Sequence, residues 1–280
     1  MKRAIAAVAT VLMMAALPAL AAEATFERTL SVNGRVDLTV STGSGNVHIT
    51  RGSDSQVHIF GRVKAGGWSV ANADQRVRDI AAHPPIDQTG NIIRIGGQSW
   101  NLHNVSIDYD IQAPANSFLR AGSGSGDLTI DGVGENAKLN TGSGSIHASS
   151  LHGGFEAHTG SGNIFAEQTG TGDVRAETGS GNVELQDIHG GLRATTGSGD
   201  IKVRGTASSD WFMQTGSGNV EFWPGGGGLV LDASTGSGDV KADHEMAMQG
   251  SFNRHHVRGK INGGGPTVRI QTGSGDIRVH

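Results

Sequence analysis

Acidic, hydroxyl and histidine side chains recur at fixed places in this 280-residue chain, and their types suggest metal binding or hydrolysis as candidate chemistries. A phrase close to Thr-Gly-Ser-Gly-Asn/Asp-Val recurs, so a typical copy offers two hydroxyls, two glycines and an acid or amide. Glycine-rich nonapeptides that contain Asp build calcium-binding β-rolls. The copies begin at Thr42, Ser123, Thr141, Thr159, Thr178, Thr196, Thr215, Thr235 and Thr272, with a variant at Thr169.

The position after the second glycine of the phrase forms a column in which acids are mostly separated by neutral residues. Its members are Asp127, Ser145, Asn163, Asn182, Asp200, Asn219 and Asp239. Calcium sites gain affinity from several carboxylates, and two bare Asp about 4.8 Å apart repel by about 1 kcal/mol even in water. The column therefore favours stacking without metal, and a calcium-binding repeat module is kept as an alternative.

The histidines and serines do not form a convergent set for zinc or for nucleophilic catalysis. His152 and His189 share a register but are 37 residues, or about two coils, apart, which is too far to share one ion. The repeated serine lacks the nucleophile-elbow pattern, and no helix or lysine follows as in a phosphate-binding loop. We predict no catalytic residue, no cofactor and no metal ligand. The alternative, a polysaccharide-active β-helix enzyme, requires a cleft with clustered acids.

Three aromatic side chains are the candidate binding residues. By strand parity Phe165 and Phe212 point outward, and Trp223 follows the inward Phe222 beside Pro224. Exposed aromatic rings stack on sugars or dock on proteins, although isolated exposed apolar residues are also common on protein surfaces. We expect any binding surface to include Phe165, Phe212 or Trp223, with a cell-envelope polysaccharide or a protein as the partner.

The spacing of the phrase predicts the architecture that positions these residues. From Thr141 to Thr235 the steps are 18, 19, 18, 19 and 20 residues, and the step to Thr272 is 37 residues, about twice that period. Such a repeat is typical of a solenoid, in which each unit buries its apolar face by stacking on its neighbours. The predicted fold is all-β, a parallel β-solenoid (β-helix) of short 18–20-residue coils with two strands each.

One coil, from Val174 to Gln186, illustrates the expected strands and corners. Apolar residues alternate with polar ones on both sides of the phrase, as in two short strands that each bury one face. Gly179 and Gly181 are expected to provide the positive φ of a sharp corner. The predicted interior sets small residues against larger ones, namely Ala121, Ala157, Ala176, Ala194 and Ala233 against Leu128, Ile146, Ile164, Val183, Ile201 and Val240.

One outward position predicts a ladder of alternating charge through four consecutive coils. The residues that follow the buried Val or Ile are Glu184, Lys202, Glu221 and Lys241. If the coils stack in sequence order, each charge lies beside an opposite one, in pairs of about 0.2–1 kcal/mol. The ladder is therefore a test of the stacking order.

The start of the chain predicts export. The basic Lys2 and Arg3 precede an apolar run from Ala4 to Leu17 and a small-residue exit, so residues 1–21 are expected to be a signal peptide. No later segment is apolar enough to cross a membrane, so the mature chain is expected to be soluble and either periplasmic or at the cell surface. The chain has no cysteine, which excludes disulfides, and its formal charge of −4 does not suggest a nucleic-acid partner.

The mature chain is expected to divide into two parts. Residues 22–117 carry a single copy of the phrase and a helical pattern between Trp68 and Ala82, so they are expected to form an N-terminal capping part of the solenoid with one short helix. Residues 118–280 hold the regular repeats, with a looser insertion from Met246 to Asn262.

Three features together resemble a known family. They are the run Ile107-Asp-Tyr-Asp-Ile-Gln-Ala-Pro114, the ladder of Thr-Gly-Ser-Gly phrases, and the closing run Val257-Arg-Gly-Lys-Ile-Asn-Gly-Gly-Gly-Pro266. The chain is similar in these features to the exported bacterial β-solenoid proteins known as "putative adhesins". The resemblance implies the fold and a structural or binding role in the cell envelope. It implies no catalytic or ligand-binding residues.

Overall fold

Twenty-three strands and one helix make up the part of the chain that the computed structural model describes, residues 22–65, 73–97, 104–243, 246–248 and 253–280. The N-terminal elements are β1 (Ala22–Ser31), β2 (Asp37–Thr42), β3 (Val47–Arg51), β4 (Gln56–Ala65), α1 (Ala73–Ala82), β5 (Ile86–Thr89), β6 (Ile92–Gly96) and β7 (Val105–Ala113). The predicted signal peptide, residues 1–21, lies outside the described residues.

The strands of the repeats follow at short intervals. They are β8 (Phe118–Ser123), β9 (Leu128–Asp131), β10 (Asn136–Thr141), β11 (Ile146–Leu151), β12 (Gly154–Thr159), β13 (Ile164–Gln168), β14 (Val174–Ser180), β15 (Val183–Ser198), β16 (Ile201–Ser217), β17 (Val220–Pro224), β18 (Leu229–Ser237), β19 (Val240–Ala242), β20 (Met246–Met248), β21 (His256–Ile261), β22 (Thr267–Ser274) and β23 (Ile277–Val279).

The strands lie in two rows that face each other across a thin core. In spatial order the first row is β5-β6-β2-β8-β10-β12-β14-β15-β16-β22-β18-β21-β20. The second row is β1-β4-β7-β3-β9-β11-β13-β15-β16-β17-β23-β19. Strands β15 and β16 turn the corner, so each contributes to both rows. The pairs between β2 and β18 in the first row, and between β7 and β19 in the second, are parallel, which confirms the predicted β-solenoid.

The core lies between the two rows and follows the period of two that strands impose. All the interior residues predicted above are buried, with Val240 the most exposed at 8%. Aromatic side chains also lie in the core of the C-terminal coils, where Trp211 and Phe222 are 1% and 0% exposed and their ring centroids lie 5.5 Å apart.

The N-terminal end of the stack is covered by antiparallel strands and the helix. Strand β4 pairs with β1 and β7, and α1 packs against β1 and β4 with Val77 buried. The helical pattern was predicted from Trp68, and residues 66–72 lie outside the described residues. No helix among the described residues is long and apolar enough to span a membrane. Strands β2 and β3 pair directly with β8 and β9, so the phrase at Thr42 stacks against that at Ser123.

The last coils do not stack in sequence order. Strand β22 lies between β16 and β18, so Thr272 pairs with Thr215 on one side and Thr235 on the other. The step of 37 residues contains no second coil, because the insertion forms the antiparallel pair β20–β21 on the edge of β18. The residues of the insertion therefore cover the end of the stack instead of adding a coil to it. The final coil, formed by β22 and β23, lies beside β16 and β17.

This order corrects the predicted charge ladder. The registers place Glu184 beside Lys202 and Lys202 beside Glu221, as expected. The next neighbour of Glu221 is Arg278, and Lys241 lies beyond Arg278. The prediction that Lys241 neighbours Glu221 is therefore wrong, because the C-terminal coil is inserted between them.

Gly179 and Gly181 also have a different role from the one expected. Neither Gly179 nor Gly181 has a φ in the left-handed region. A Cβ at Gly181 would lie 2.1 Å from the carbonyl oxygen of Gly162 in the adjacent coil, and a Cβ at Gly179 would lie 2.5 Å from that of Gly160. Glycine is required at these two positions because the stacked backbones approach too closely for a side chain.

Candidate binding surface

The leading hydroxyl of the phrase, from Thr or Ser123, is buried and forms hydrogen bonds with the backbone. Thr159 is 0% exposed, and its Oγ1 donates to the carbonyl oxygen of Gly144 at 2.8 Å and accepts from the backbone nitrogen of Gly162 at 3.1 Å. Ser123 makes the equivalent pair of contacts, to Gly45 in the adjacent coil and to Gly126 in its own. The leading hydroxyl thus joins two coils in every copy, and at Thr42, Ser123, Thr141 and Thr159 it also closes its own corner. It is therefore not available as a nucleophile or as an outward-facing binding group, whereas the serine between the two glycines of the phrase is exposed.

The side chains that follow the second glycine of the phrase, which we call the Asn and Asp column, accept hydrogen bonds from the backbone. The Oδ1 atom of Asn182 accepts from the backbone nitrogen of Asp200 at 2.9 Å, and Oδ1 of Asp200 accepts from that of Asn219 at 2.8 Å. The same contact joins Asp108, Asn46, Asp127, Ser145, Asn163, Asn182, Asp200, Asn219, Asp276 and Asp239 in this spatial order.

Two acids are adjacent at the C-terminal end of this column. The predicted column placed Asp239 after Asn219, but the inserted coil places Asp276 between them, so Asp276 and Asp239 are neighbours. The expectation that the acids are separated is wrong at this step. Among the described residues there is no group of three or more His, Asp or Glu with metal-binding geometry.

Two of the predicted aromatic residues lie on the second row. Phe165 stacks on the imidazole of His147, with ring centroids 4.6 Å apart. Trp223 lies between two neighbours, since the guanidinium of Arg204 is 4.2 Å from its ring centroid and the His280 ring stacks on it at 4.5 Å. These contacts occupy faces of the rings that a sugar would otherwise use.

Phe212 lies on the opposite surface, on the first row. The guanidinium of Arg193 is 4.9 Å from its ring centroid, and Arg269 is its register partner in the next strand. The three predicted aromatic residues therefore do not form one surface. Phe212 differs from the other two in lying within a column of cations.

That column, which we call the cationic row, runs along the outer surface of the first row. All its members except Arg258 stand three residues before a copy of the phrase, and the parallel registers place them on adjacent strands. Arg258 joins the row through the antiparallel pairing of β21 with β18. Its cations are Arg120, Lys138, Arg175, Arg193, Arg269 and Arg258. Glu156 lies between Lys138 and Arg175, and Asp232 lies between Arg269 and Arg258. All six cations are exposed, with side-chain exposures of 50–58% for the five in ion pairs.

The cations of the row outnumber the acids that contact them. Arg120 pairs with Asp37 at 2.7 Å and Lys138 with Glu156 at 2.9 Å. Arg175 and Arg193 share a single carboxylate, Glu177, at 2.9 and 3.5 Å, and Arg269 lies 3.6 Å from Asp232. Five of the six cations thus meet four acids, so the six cations and these four acids together carry two excess positive charges, in a chain whose formal charge is −4.

A groove of about 730 Å³ lies alongside the N-terminal half of the row. Arg120, Lys138 and Glu156 of the row line one side of it, and Glu135, Asp173 and His152 line other parts. Gly153 and Gly154 form part of its wall. A Cβ at Gly153 would lie 1.7 Å from the carbonyl oxygen of Glu135, so the close contact of the two backbones requires glycine. The missing side chain leaves room for the groove at this position.

The three acids of the groove each have a partner. Lys138 donates to Glu156 and holds the pKa of that carboxyl below its usual value. Glu135 pairs with Arg35 at 3.3 Å, and Asp173 accepts from the backbone nitrogen of Gly191 at 2.9 Å. A general acid in glycoside hydrolysis needs a raised pKa, and the shift at Glu156 has the opposite sign.

A second carboxyl with a shifted pKa connects the cap to the coils. Burial raises the pKa of Asp108, but hydrogen bonds from Lys64 and from the backbone nitrogen of Asn46 outweigh burial, so the pKa lies below its usual value. This carboxylate begins the Asn and Asp column, and it therefore has a structural role at the capped end.

The cationic row was missed by reasoning from the sequence, although a signal for it was present. The net charge of the whole chain suggested no charged partner, because it also counts the acids that lie outside the cationic row. The signal is positional: Arg or Lys stands three residues before the phrase at Arg120, Lys138, Arg175, Arg193 and Arg269. Counting from the phrase would have aligned these cations on one surface.

Comparisons with known proteins identify the family and related folds. The Toastrack DUF4097 family matches residues 28–280. A structure named "putative adhesin" from Parabacteroides distasonis is 11% identical, with 92% of this chain and 97% of that chain covered and a TM-score of 0.38. Another "putative adhesin", from Bacteroides fragilis, is 12% identical, with 92% and 97% covered and a TM-score of 0.37.

A third solved structure has a different name. It is a "putative lipid binding protein" from Parabacteroides distasonis, 14% identical, with 91% of this chain and 96% of that chain covered and a TM-score of 0.32. No curated protein matches the chain significantly. Because the family match extends over nearly all of the described solenoid, the chain belongs to the Toastrack DUF4097 family.

Proposed function

We propose that this protein is an exported, adhesin-like binding module of the cell envelope, located in the periplasm or at the cell surface. Its outer β-surface holds an extended polymer along the stack of coils. The expected signal peptide, residues 1–21, supports the export part of the proposal. The division into a capping part, residues 22–117, and regular repeats, residues 118–280, is part of the same proposal.

One observation carries the binding proposal: outward side chains of the first row recur in register from coil to coil. Between β2 and β18 every pair in that row is parallel, so equivalent residues lie about 4.8 Å apart along one line. A rigid, repetitive surface suits a repetitive ligand because few groups must be ordered on binding. The adhesive role rests on this surface and not on the names of distant structures.

The groove supports a polymer more than it supports a small molecule. Arg120 and Lys138 belong both to the lining of the groove and to the cationic row, and the side chains of both are more than half exposed. Small-molecule pockets enclose most of their ligand in apolar surroundings, whereas charged, exposed side chains border this groove. A chain lying along the row would pass over the groove without a change of direction.

A second candidate function, polysaccharide cleavage, is favoured by one observation. Glu135, Glu156 and Asp173 line the same groove, which is the clustered set of acids that such an enzyme needs. Their existing partners and the lowered pKa of Glu156 count against this candidate. Release of reducing ends from any bound polysaccharide would favour cleavage.

The proposed function is tested by blocking one surface at a time. The chain has no cysteine, so single substitutions can carry a bulky maleimide–polyethylene glycol label. Asn140→Cys places the label on the first row beside Lys138, and Thr129→Cys places it on the second row in the adjoining coil, both at exposed positions. Co-sedimentation of residues 22–280 with insoluble cell-wall polysaccharides should be lost with the first label and kept with the second. Equal binding by both labelled proteins, or no binding by unlabelled protein, would contradict the proposal.

A further inference from the structure

The cationic row defines the chemical class of the polymer. We infer that the ligand is an acidic polysaccharide, bound along the first row with its carboxylate or sulfate groups on the arginines. This inference rests on the proposed function and adds the charge of the ligand to it.

The composition of the row matches oxyanions. Five of its six cations are arginines, and a guanidinium presents a planar fork of donors that fits carboxylate, sulfate or phosphate with two parallel hydrogen bonds. Arg175 and Arg193 share one carboxylate, so their donors exceed the acceptor atoms that Glu177 offers. An anionic ligand would supply the missing acceptors at this place.

The present ion pairs of the row would not prevent exchange with a ligand. In the pairs of Arg120 and Lys138 both side chains are exposed, and such a surface pair contributes about 0–1 kcal/mol. Glu177 and Asp232 retain only 24% and 19% exposure, but the arginines paired with them retain 50–55%. A ligand carboxylate can therefore replace Asp37 or Glu156 at small cost and can approach the other arginines from their exposed side.

The acids within the row favour a sugar polymer over a nucleic acid. Glu156 and Asp232 lie in line with the cations, and a carboxylate can only accept hydrogen bonds. Sugar hydroxyls between the charged groups donate to such acceptors, whereas a nucleic-acid backbone carries a phosphate at every unit and would be repelled there. Phe212, between Arg193 and Arg269, adds one apolar position to the row, with the Arg193 guanidinium over its ring.

The second row provides an internal control for charge. Its outward column Glu184, Lys202, Glu221 and Arg278 alternates in sign, and only at the end of the column, where Lys241 follows Arg278, do two cations lie side by side. Lys202 and Arg278 can be neutralised without a change to the cationic row. A variant there lowers the overall charge by the same amount as a variant in the row.

The test compares two double variants of residues 22–280. Arg175→Gln with Arg193→Gln removes two charges from the row, and Lys202→Gln with Arg278→Gln removes two from the second row. The probes are polygalacturonate, neutral dextran and a single-stranded oligonucleotide, with affinity measured by calorimetry. Thermal melts verify that both variants are folded.

The expected result is binding of polygalacturonate that weakens as salt rises from about 0.05 to 0.5 M, because screening shortens the range of the charges. The row variant should lose affinity by about tenfold or more, and the second-row variant should bind like the unsubstituted protein. Equal binding of dextran, or an equal loss in both variants, would overturn the inference while the proposed polymer-binding function stands. Tighter binding of the oligonucleotide than of polygalacturonate would also overturn it. Failure of every polymer in this test and of the cell-wall co-sedimentation would overturn the function itself.

Discussion

At the scale of single residues, the repeated phrase is a set of backbone contacts. The buried Thr, the glycines and the Asn or Asp each satisfy or accommodate backbone atoms of the adjacent coil. Their burial and bonding explain why these residues form a scaffold, while the cations proposed to bind a partner stand three positions before the phrase.

Thr159→Val should destabilise the protein although it preserves shape. The buried carbonyl of Gly144 and the backbone nitrogen of Gly162 would each lose a partner, and an unsatisfied buried polar group costs about 1–3 kcal/mol. Chemical denaturation should show a loss in that range. Thr195→Val, the same change at a half-exposed position on the outer surface, should stay within about 0.5 kcal/mol. Equal effects of the two substitutions would contradict the role assigned to Thr159.

Asp276→Asn should stabilise the protein near neutral pH. It keeps the acceptor for the backbone nitrogen of Asp239 and removes the repulsion between adjacent carboxylates, which is worth at most about 1 kcal/mol at this spacing. Asp200→Asn is the matched control, because its neighbours in the column are Asn182 and Asn219 and it relieves no such contact. Thermal melts near neutral pH should show a gain for Asp276→Asn alone. A larger gain for Asp200→Asn would argue against the spatial order of the column.

At the scale of elements, the coil was predictable because its strands obey a strict period of two. Alternation around the phrase identified the buried residues of both rows, from Ala121 to Val240, since one face of each strand must be buried. Alternation cannot reveal which coil lies beside which. The hairpin β20–β21 and the return of β22 depend on pairings distant in sequence, which explains why Lys241 was assigned to the wrong neighbour.

The contact surface was predictable only in part for a similar reason. The alternation of residues along a strand showed that Phe165, Phe212 and Trp223 point outward. It could not show which rings and guanidinium groups pack against them. Those contacts depend on side chains one coil away. Aligning the chain on the phrase would have revealed the cationic row, because its members share a position relative to the phrase.

Gly181→Ala should weaken the stacking of coils. Its new Cβ would lie 2.1 Å from the carbonyl oxygen of Gly162, and relieving such an overlap costs about 1–3 kcal/mol. The control is Gly226→Ala, where a Cβ would meet nothing within 4 Å and φ is not in the left-handed region. Unfolding in denaturant should separate the two variants clearly. A neutral Gly181→Ala would mean that the coils are not in close backbone contact there.

At the scale of the whole molecule, stability arises from the stack and its two covered ends. Antiparallel strands and α1 cover one end and the hairpin β20–β21 lies at the other. Because each coil contacts mainly its neighbours, loss of a central coil contact should propagate in both directions.

Removal of divalent metal should leave the melting temperature unchanged. The acids of the Asn and Asp column are occupied as acceptors of backbone hydrogen bonds, and most are separated by neutral residues. Calorimetric melts with calcium and with chelator should therefore coincide. A fall of more than a few degrees in chelator would favour the calcium-binding alternative.

The central claim is that the C-terminal coil is inserted between earlier coils, since this order places Arg269 beside Phe212 and completes the cationic row. A disulfide test measures this directly in a chain without cysteine. Gln214 and Gln271 are register partners, whereas Gln214 and Ser234 are separated by β22. Adjacent strands place Cα atoms within the range of about 4.4–6.8 Å that a disulfide requires, and strands two positions apart do not. Mild oxidation should crosslink the Gln214→Cys/Gln271→Cys variant and leave Gln214→Cys/Ser234→Cys reduced. The reverse result would mean that the coils stack in sequence order and would contradict both the fold described and the surface derived from it.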